Sequence, residues 1–186
     1  MTESEVIESA KSGDKSSLTV LVKKYEQTIY NFSFKICRNR EKAENIMQET
    51  FISMMRGLAS FDGNSKLSTW LYRIVTNHCL MEARKNNRYE FVEIETEDSL
   101  FNEKYLSDTR ALPSKEFETK ELRELLDAAI AKLEPKYRLV FLLRDVEQQS
   151  AEETAEITGL SIAAVKSRLH RARAFLRNEL VKVMNK

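Results

Sequence analysis

Apolar residues recur at three- and four-residue steps along most of the chain, the period of helices with one buried face. Leu18, Leu21, Val22, Tyr25, Ile29, Phe32 and Ile36 form one stripe and predict a helix from about Ser16 to Cys37. Arg38-Asn39-Arg40 reads as a turn. A second helix, about Glu41 to Gly57, would turn Ala43, Ile46, Met47, Thr50, Phe51 and Met54 inward. Ser60 to Ser68 is a loop by its Asp-Gly-Asn-Ser content. A third helix, about Thr69 to Asn86, would bury Leu71, Ile74, Val75 and His78. These pieces predict a helical domain over residues 15–88, preceded by an N-terminal segment, 1–14.

Residues 89–117 show no sustained period and contain Leu112-Pro113-Ser114, so they read as a flexible linker. A second domain, 118–186, opens with a helix from about Thr119 to Lys132. Pro135, favoured in a first helical turn, starts the next, which runs through Leu143. Ser150-Ala151-Glu152-Glu153 is a capping box, and Gly159 supplies the left-handed residue that ends this short helix. Ser161 then caps a helix reaching about Val183. Ala155, Gly159 and Val165 hold the small, turn and apolar positions of a helix-turn-helix. The predicted fold is all-α: two small helical domains, the second with a helix-turn-helix.

On the last helix, Ile162, Val165, Leu169, Ala172 and Leu176 should point inward. Ala163, Ala164, Ser167, His170 and Arg171 should point outward, with Lys166 and Arg168 on the flanks. In this motif the start of the second helix enters the major groove. Small residues there permit approach to base edges, while long cations reach phosphates. A plain bundle helix with a solvated basic face would show the same charges but would not need the caps and turn in this register.

Charge and composition sharpen the picture. The net charge of +1 hides two basic blocks. Residues 63–88 carry Lys66, Arg73, Arg84, Lys85 and Arg88 against Glu82 alone. Residues 161–186 carry Lys166, Arg168, Arg171, Arg173, Arg177, Lys182 and Lys186 against Glu179 alone. Seven acids lie between them in 89–110, which suggests two contacts with one polyanion. Only 4 Gly and 2 Pro argue against a β-sandwich, a barrel or a glycine-rich phosphate loop. Cys37 and Cys79 have no ligand spacing with His78 or His170, so no metal or cofactor is expected. Neither a membrane span nor an export signal is evident, and a cytoplasmic location is expected.

Several stretches resemble one family. Leu133 to Glu147, then Ser150, Glu153, Ala155, Glu156 and Gly159-Leu160-Ser161, then Val165 to Arg173, are similar to the fourth domain of bacterial extracytoplasmic-function sigma factors. Ala43-Glu44, Gln48 to Phe51, Phe61, and Trp70 to Ile74 with Asn77, resemble the second domain of the same family. The resemblance implies a transcription initiation factor that directs RNA polymerase core to promoters. It implies minus-thirty-five contacts by Ser161, Ala163, Ala164, Lys166, Ser167, Arg168, His170 and Arg171. It implies minus-ten contacts by Phe61, Asn64, Ser65, Lys66, Trp70, Tyr72, Arg73 and Asn77, whose rings and cations suit unstacked bases. Trp70 serves equally well as a core aromatic. Asn45, Gln48, Glu49, Ile52 and Arg56 share one helix face, where the family meets the polymerase clamp, and members are commonly held by an anti-sigma partner. Ala163-Ala164 replaces the frequent Gly-Thr, so the upstream base preference does not carry over.

The alternative is a helix-turn-helix regulator that binds duplex DNA without polymerase. The aromatic and basic loop, suited to single strands, argues against it. An enzyme stands third, for want of a glycine-rich loop, a metal spacing or a nucleophile–base pair.

Overall fold

Side-chain caps set where most of the helices begin. The computed structural model describes residues 2–85 and 120–184, and these form eight α-helices with no strand among the described residues. The linker expected at 89–117 lies outside the described residues. In the first unit α1 is Glu3–Lys11, α2 Lys15–Cys37, α3 Arg40–Gly57 and α4 Leu67–Lys85, with a 3-10 turn at Leu58–Ser60. In the second, α5 is Lys120–Lys132, α6 Pro135–Phe141, α7 Ala151–Thr158 and α8 Ile162–Met184. A single π turn, Leu142–Val146, extends α6.

The periodic stripes fall where expected. Leu21, Ile29 and Phe32 of α2 are buried against Ala43, Ile46, Phe51 and Met54 of α3 and Leu71 and Val75 of α4. Asp14 caps α2 by accepting from the backbone of Ser17 at 2.9 Å, and Asn39 caps α3 through Lys42 at 2.9 Å. Arg38 ends α2 in the left-handed region, φ 53°. The N-terminal segment holds an element that the periodicity did not announce. Thr2 and Glu5 form a capping box, and Val6, Ile7 and Ala10 bury α1 against α2. Nine residues carry too few turns for a stripe to stand out.

In the second unit the caps match the sequence reading. The Ser150 hydroxyl accepts from the Glu153 amide at 3.0 Å, and the Glu153 carboxylate accepts from the Ser150 amide at 2.7 Å. Gly159 ends α7 at φ 72°, and the Ser161 hydroxyl accepts from the Ala164 amide at 3.2 Å. Val165, Leu169, Ala172 and Leu176 of α8 are buried. Ile162 is not: it is 39% exposed, because it lies at the first turn, ahead of the packed part of the helix. His78 is half-buried rather than core, with its Nε2 3.0 Å from the Ser53 hydroxyl.

Independent motion of the two units is what an acidic linker suggests, yet here they dock. Their buried apolar residues form one continuous cluster, and α4 lies against α7. Arg138 explains part of this. Its guanidinium donates to the carbonyls of Ile130, Ala131 and Leu133 at the end of α5, and to Ile36 near the end of α2. Helix ends leave carbonyls without partners, and one buried cation satisfies those of both units.

Candidate nucleic-acid interface

The loop between the 3-10 turn and α4 is shaped by its own polar groups. The Asp62 carboxylate accepts from the Asn64 amide at 3.0 Å and from its side chain at 2.6 Å, and Gly63 takes φ 75°. The loop, α4 and α7 together border a half-open pocket. Ser60, Phe61, Asn64, Ser65, Trp70 and Arg73 line it, together with Asp62 and, from α7, Glu156. Phe61 and Trp70 pair along its lining, with ring centroids 5.3 Å apart at 41°. Trp70 is half-buried, and its other flank rests on Gly57, where an added Cβ would lie 3.3 Å from Cζ2. The indole thus packs against the domain, as a core aromatic would, and also lines the pocket.

Other residues expected at this site are placed differently. Tyr72 is buried, and its hydroxyl donates to the Glu147 carboxylate at 2.5 Å. Burial and that carboxylate raise its pKa well above the ordinary tyrosine range. It faces the second unit rather than the pocket, because position 72 lies on the inward stripe of α4 beside Phe32, 4.7 Å between centroids. Asn77 is exposed on α4, outside the pocket lining. Lys66 is exposed but pairs with Glu153 of α7 at 3.3 Å.

On α8 the expected face is present. Ala163, Lys166, Ser167 and His170 are exposed, Ala164 and Arg171 are half-exposed, and Ser161 is exposed at the cap. Arg168 is half-buried, and its desolvation lowers a pKa that nonetheless belongs to a cation at any physiological pH. The helix is held from behind: Arg173 donates to both Asp145 oxygens at 2.8 and 2.6 Å, and Lys132 pairs with Glu179 at 2.8 Å.

On α3, Asn45, Gln48, Glu49 and Arg56 are exposed on one face. Ile52, read from sequence as exposed, is half-buried between them. Met55, not singled out from sequence, is 50% exposed on the same helix. Among the described residues no helix is long and apolar enough to cross a membrane, and no three His, Cys, Asp or Glu cluster as metal ligands would.

Sequence comparison agrees with this architecture. Residues 21–89 match Sigma-70 region 2, and residues 123–176 match Sigma-70 region 4. The chain is 34% identical over 177 residues to the ECF RNA polymerase sigma factor SigW of Bacillus subtilis (strain 168), covering 94% of both chains. It is 34% identical over 168 residues to the RNA polymerase sigma factor YlaC of the same organism, covering 90% of this chain and 94% of that one. Among solved structures it is similar to the sigma factor RpoE of Bartonella quintana in complex with the anti-sigma factor NepR. That match has a TM-score of 0.65 and 25% identity, over 87% of this chain and 95% of that one. The fold also matches CnrH in complex with the cytosolic domain of CnrY, with a TM-score of 0.66 and 22% identity, over 95% and 96% of the two chains. With both sigma regions matched in order, and relatives aligned along nearly all of it, the chain belongs to the ECF sigma factors of RNA polymerase.

Proposed function

We propose that this sigma factor brings polymerase core to promoters through two separate DNA contacts, one by α8 on duplex and one by the loop pocket on an unpaired base. The observation that carries the reading is the pocket. A ring pair, amide and hydroxyl groups and the Arg73 guanidinium in one lining suit a flipped nucleotide and its phosphate. The exposed face of α8, with small residues flanked by Lys166 and Arg168, suits the major groove of the upstream element. Core polymerase would meet α3 at Asn45, Gln48, Glu49 and Arg56 around Ile52. An anti-sigma partner is part of the proposal, supported by the likeness to a sigma factor solved with one.

The test compares Trp70→Ala on two templates, one fully duplex and one with the minus-ten region already mismatched. Stacking a base contributes about 1–3 kcal/mol, so open-complex formation on duplex should fall roughly ten- to a hundredfold. The mismatched template should largely restore it. Arg73→Ala, an exposed change that leaves the fold intact, should lower both, because the phosphate contact is needed before and after opening. Equal loss on both templates for Trp70→Ala would assign the indole to packing alone.

A further inference from the structure

We propose that Cys37 and Cys79 form a reversible dithiol–disulfide pair through which hydroperoxides reach the contact between the two units. Cys37 is the last residue of α2 and Cys79 lies on the buried face of α4, with Sγ atoms 3.6 Å apart. A disulfide requires about 2.05 Å, so the sulfurs need approach by only about 1.5 Å. Their environments are unequal in the sense that such chemistry needs. Cys37 is half-buried, whereas Cys79 is buried. The sulfur–sulfur hydrogen bond with Cys79, helped by Lys42 and Arg138 nearby, lowers the Cys37 pKa against the opposing effects of burial and Glu82. The same hydrogen bond and burial raise that of Cys79. Cys37 is therefore the thiolate that attacks, and Cys79 the thiol that resolves.

The chemistry balances as follows. The Cys37 thiolate attacks one peroxide oxygen, the O–O bond breaks, and the alkoxide or hydroxide leaves and takes a proton from water. Cys37 is now a sulfenic acid. The Cys79 sulfur attacks it, the S–O bond breaks, and the oxygen departs as water with the proton of Cys79. Two thiols are oxidised by two electrons, and one hydroperoxide is reduced to an alcohol, or to water, with a further water. A thiol reductant reverses the change.

The residues flanking Cys37 explain why this would be felt at a distance. Ile36 gives its carbonyl to Arg138 at 3.0 Å, and Arg38 grips Asp127 of α5 with bonds of 2.9 and 2.8 Å. Drawing Cys37 toward α4 moves the helix end that carries both ties. Oxidation is thus coupled to docking.

Reduced full-length protein would be exposed to hydrogen peroxide, quenched, denatured and alkylated. The expected product is a monomer that has lost two hydrogens and both alkylation sites, with one peptide pair joining Cys37 to Cys79, restored by dithiothreitol. In Cys79→Ala the reaction should stop at a Cys37 sulfenic acid that dimedone captures, and in Cys37→Ser nothing should form. Two alkylatable thiols after treatment, over-oxidised Cys37 in the unaltered chain, or a disulfide between chains would each overturn the pair. The coupling is read from spin labels at Ala59 and Glu152: their distance distribution should change on oxidation of the unaltered chain and not of Cys37→Ser. An unchanged distribution would overturn the link to docking.

Discussion

Arg138 is a buried cation that donates to backbone oxygens of both units. Four of its carbonyl partners lie in two units, so truncation leaves several helix-end acceptors, two of them in buried contacts, without this donor. A buried polar group left unpaired costs about 1–3 kcal/mol, so Arg138→Met should lower unfolding stability by at least that much. Arg138→Lys should rescue little of it, since one ammonium cannot fan out to four carbonyls. Chemical denaturation of the three proteins checks this. Asp14 offers a pH test. Its carboxylate accepts from the amides and hydroxyls of Ser16 and Ser17, which hold its pKa at about 2 against an ordinary 3.8. A depressed folded value contributes stability above the unfolded pKa and loses it as pH falls. The gap in Tm between the unaltered chain and Asp14→Ala should therefore be full above roughly pH 5 and shrink steadily toward pH 2. A gap that stays constant would remove the carboxylate from the cap.

The helices themselves were largely legible in the chain, because caps and stripes are local. Ser150 with Glu153, Gly159 at the turn and Ser161 ahead of α8 occupy the positions that composition alone assigns them. What was hidden is what depends on tertiary neighbours. α1 is short and is buried only because α2 is there to receive it. Tyr72 looks like a base platform until Phe32 and Glu147 are seen around it. The capping box makes a clear prediction: Ser150→Ala should cost about 1 kcal/mol by leaving the Glu153 amide unmatched, measured as a shift in the denaturation midpoint. On the proposed function, the roles along α8 divide by side-chain length. Lys166→Ala should weaken binding to all duplexes and flatten the salt dependence by about one counterion, whereas Ser167→Ala should alter base preference more than affinity. Binding isotherms on matched and unmatched duplexes over a salt series separate these. Uniform loss for Ser167→Ala would move it off the groove floor.

The docked arrangement bears directly on the proposed use of the loop pocket. Glu156 of α7 lines the loop pocket, Glu153 holds Lys66, Gln149 meets the Thr69 hydroxyl at 3.2 Å, and Glu147 receives Tyr72. On the proposed function, a strand bringing phosphates to this loop would meet carboxylates first, and the two units would part before the pocket is filled. The exposed Lys66 pair contributes little, about 0–1 kcal/mol, and the buried polar contacts of Tyr72 and Thr69 contribute more. Opening is then a conformational equilibrium, and the apparent affinity for a strand is reduced by the fraction of molecules already open. Glu147→Ala with Gln149→Ala removes two of the buried contacts without altering any pocket residue. The free double variant should bind a single-stranded minus-ten oligonucleotide several-fold more tightly than the unaltered chain, read by fluorescence anisotropy. Assembled with core polymerase, where the proposal has the units held apart, the two proteins should bind that strand alike. A free variant no tighter than the unaltered chain would mean that docking does not cover the pocket. A gain that persists in the holoenzyme would place the effect of these substitutions in the pocket itself rather than in the equilibrium between the closed and open molecule.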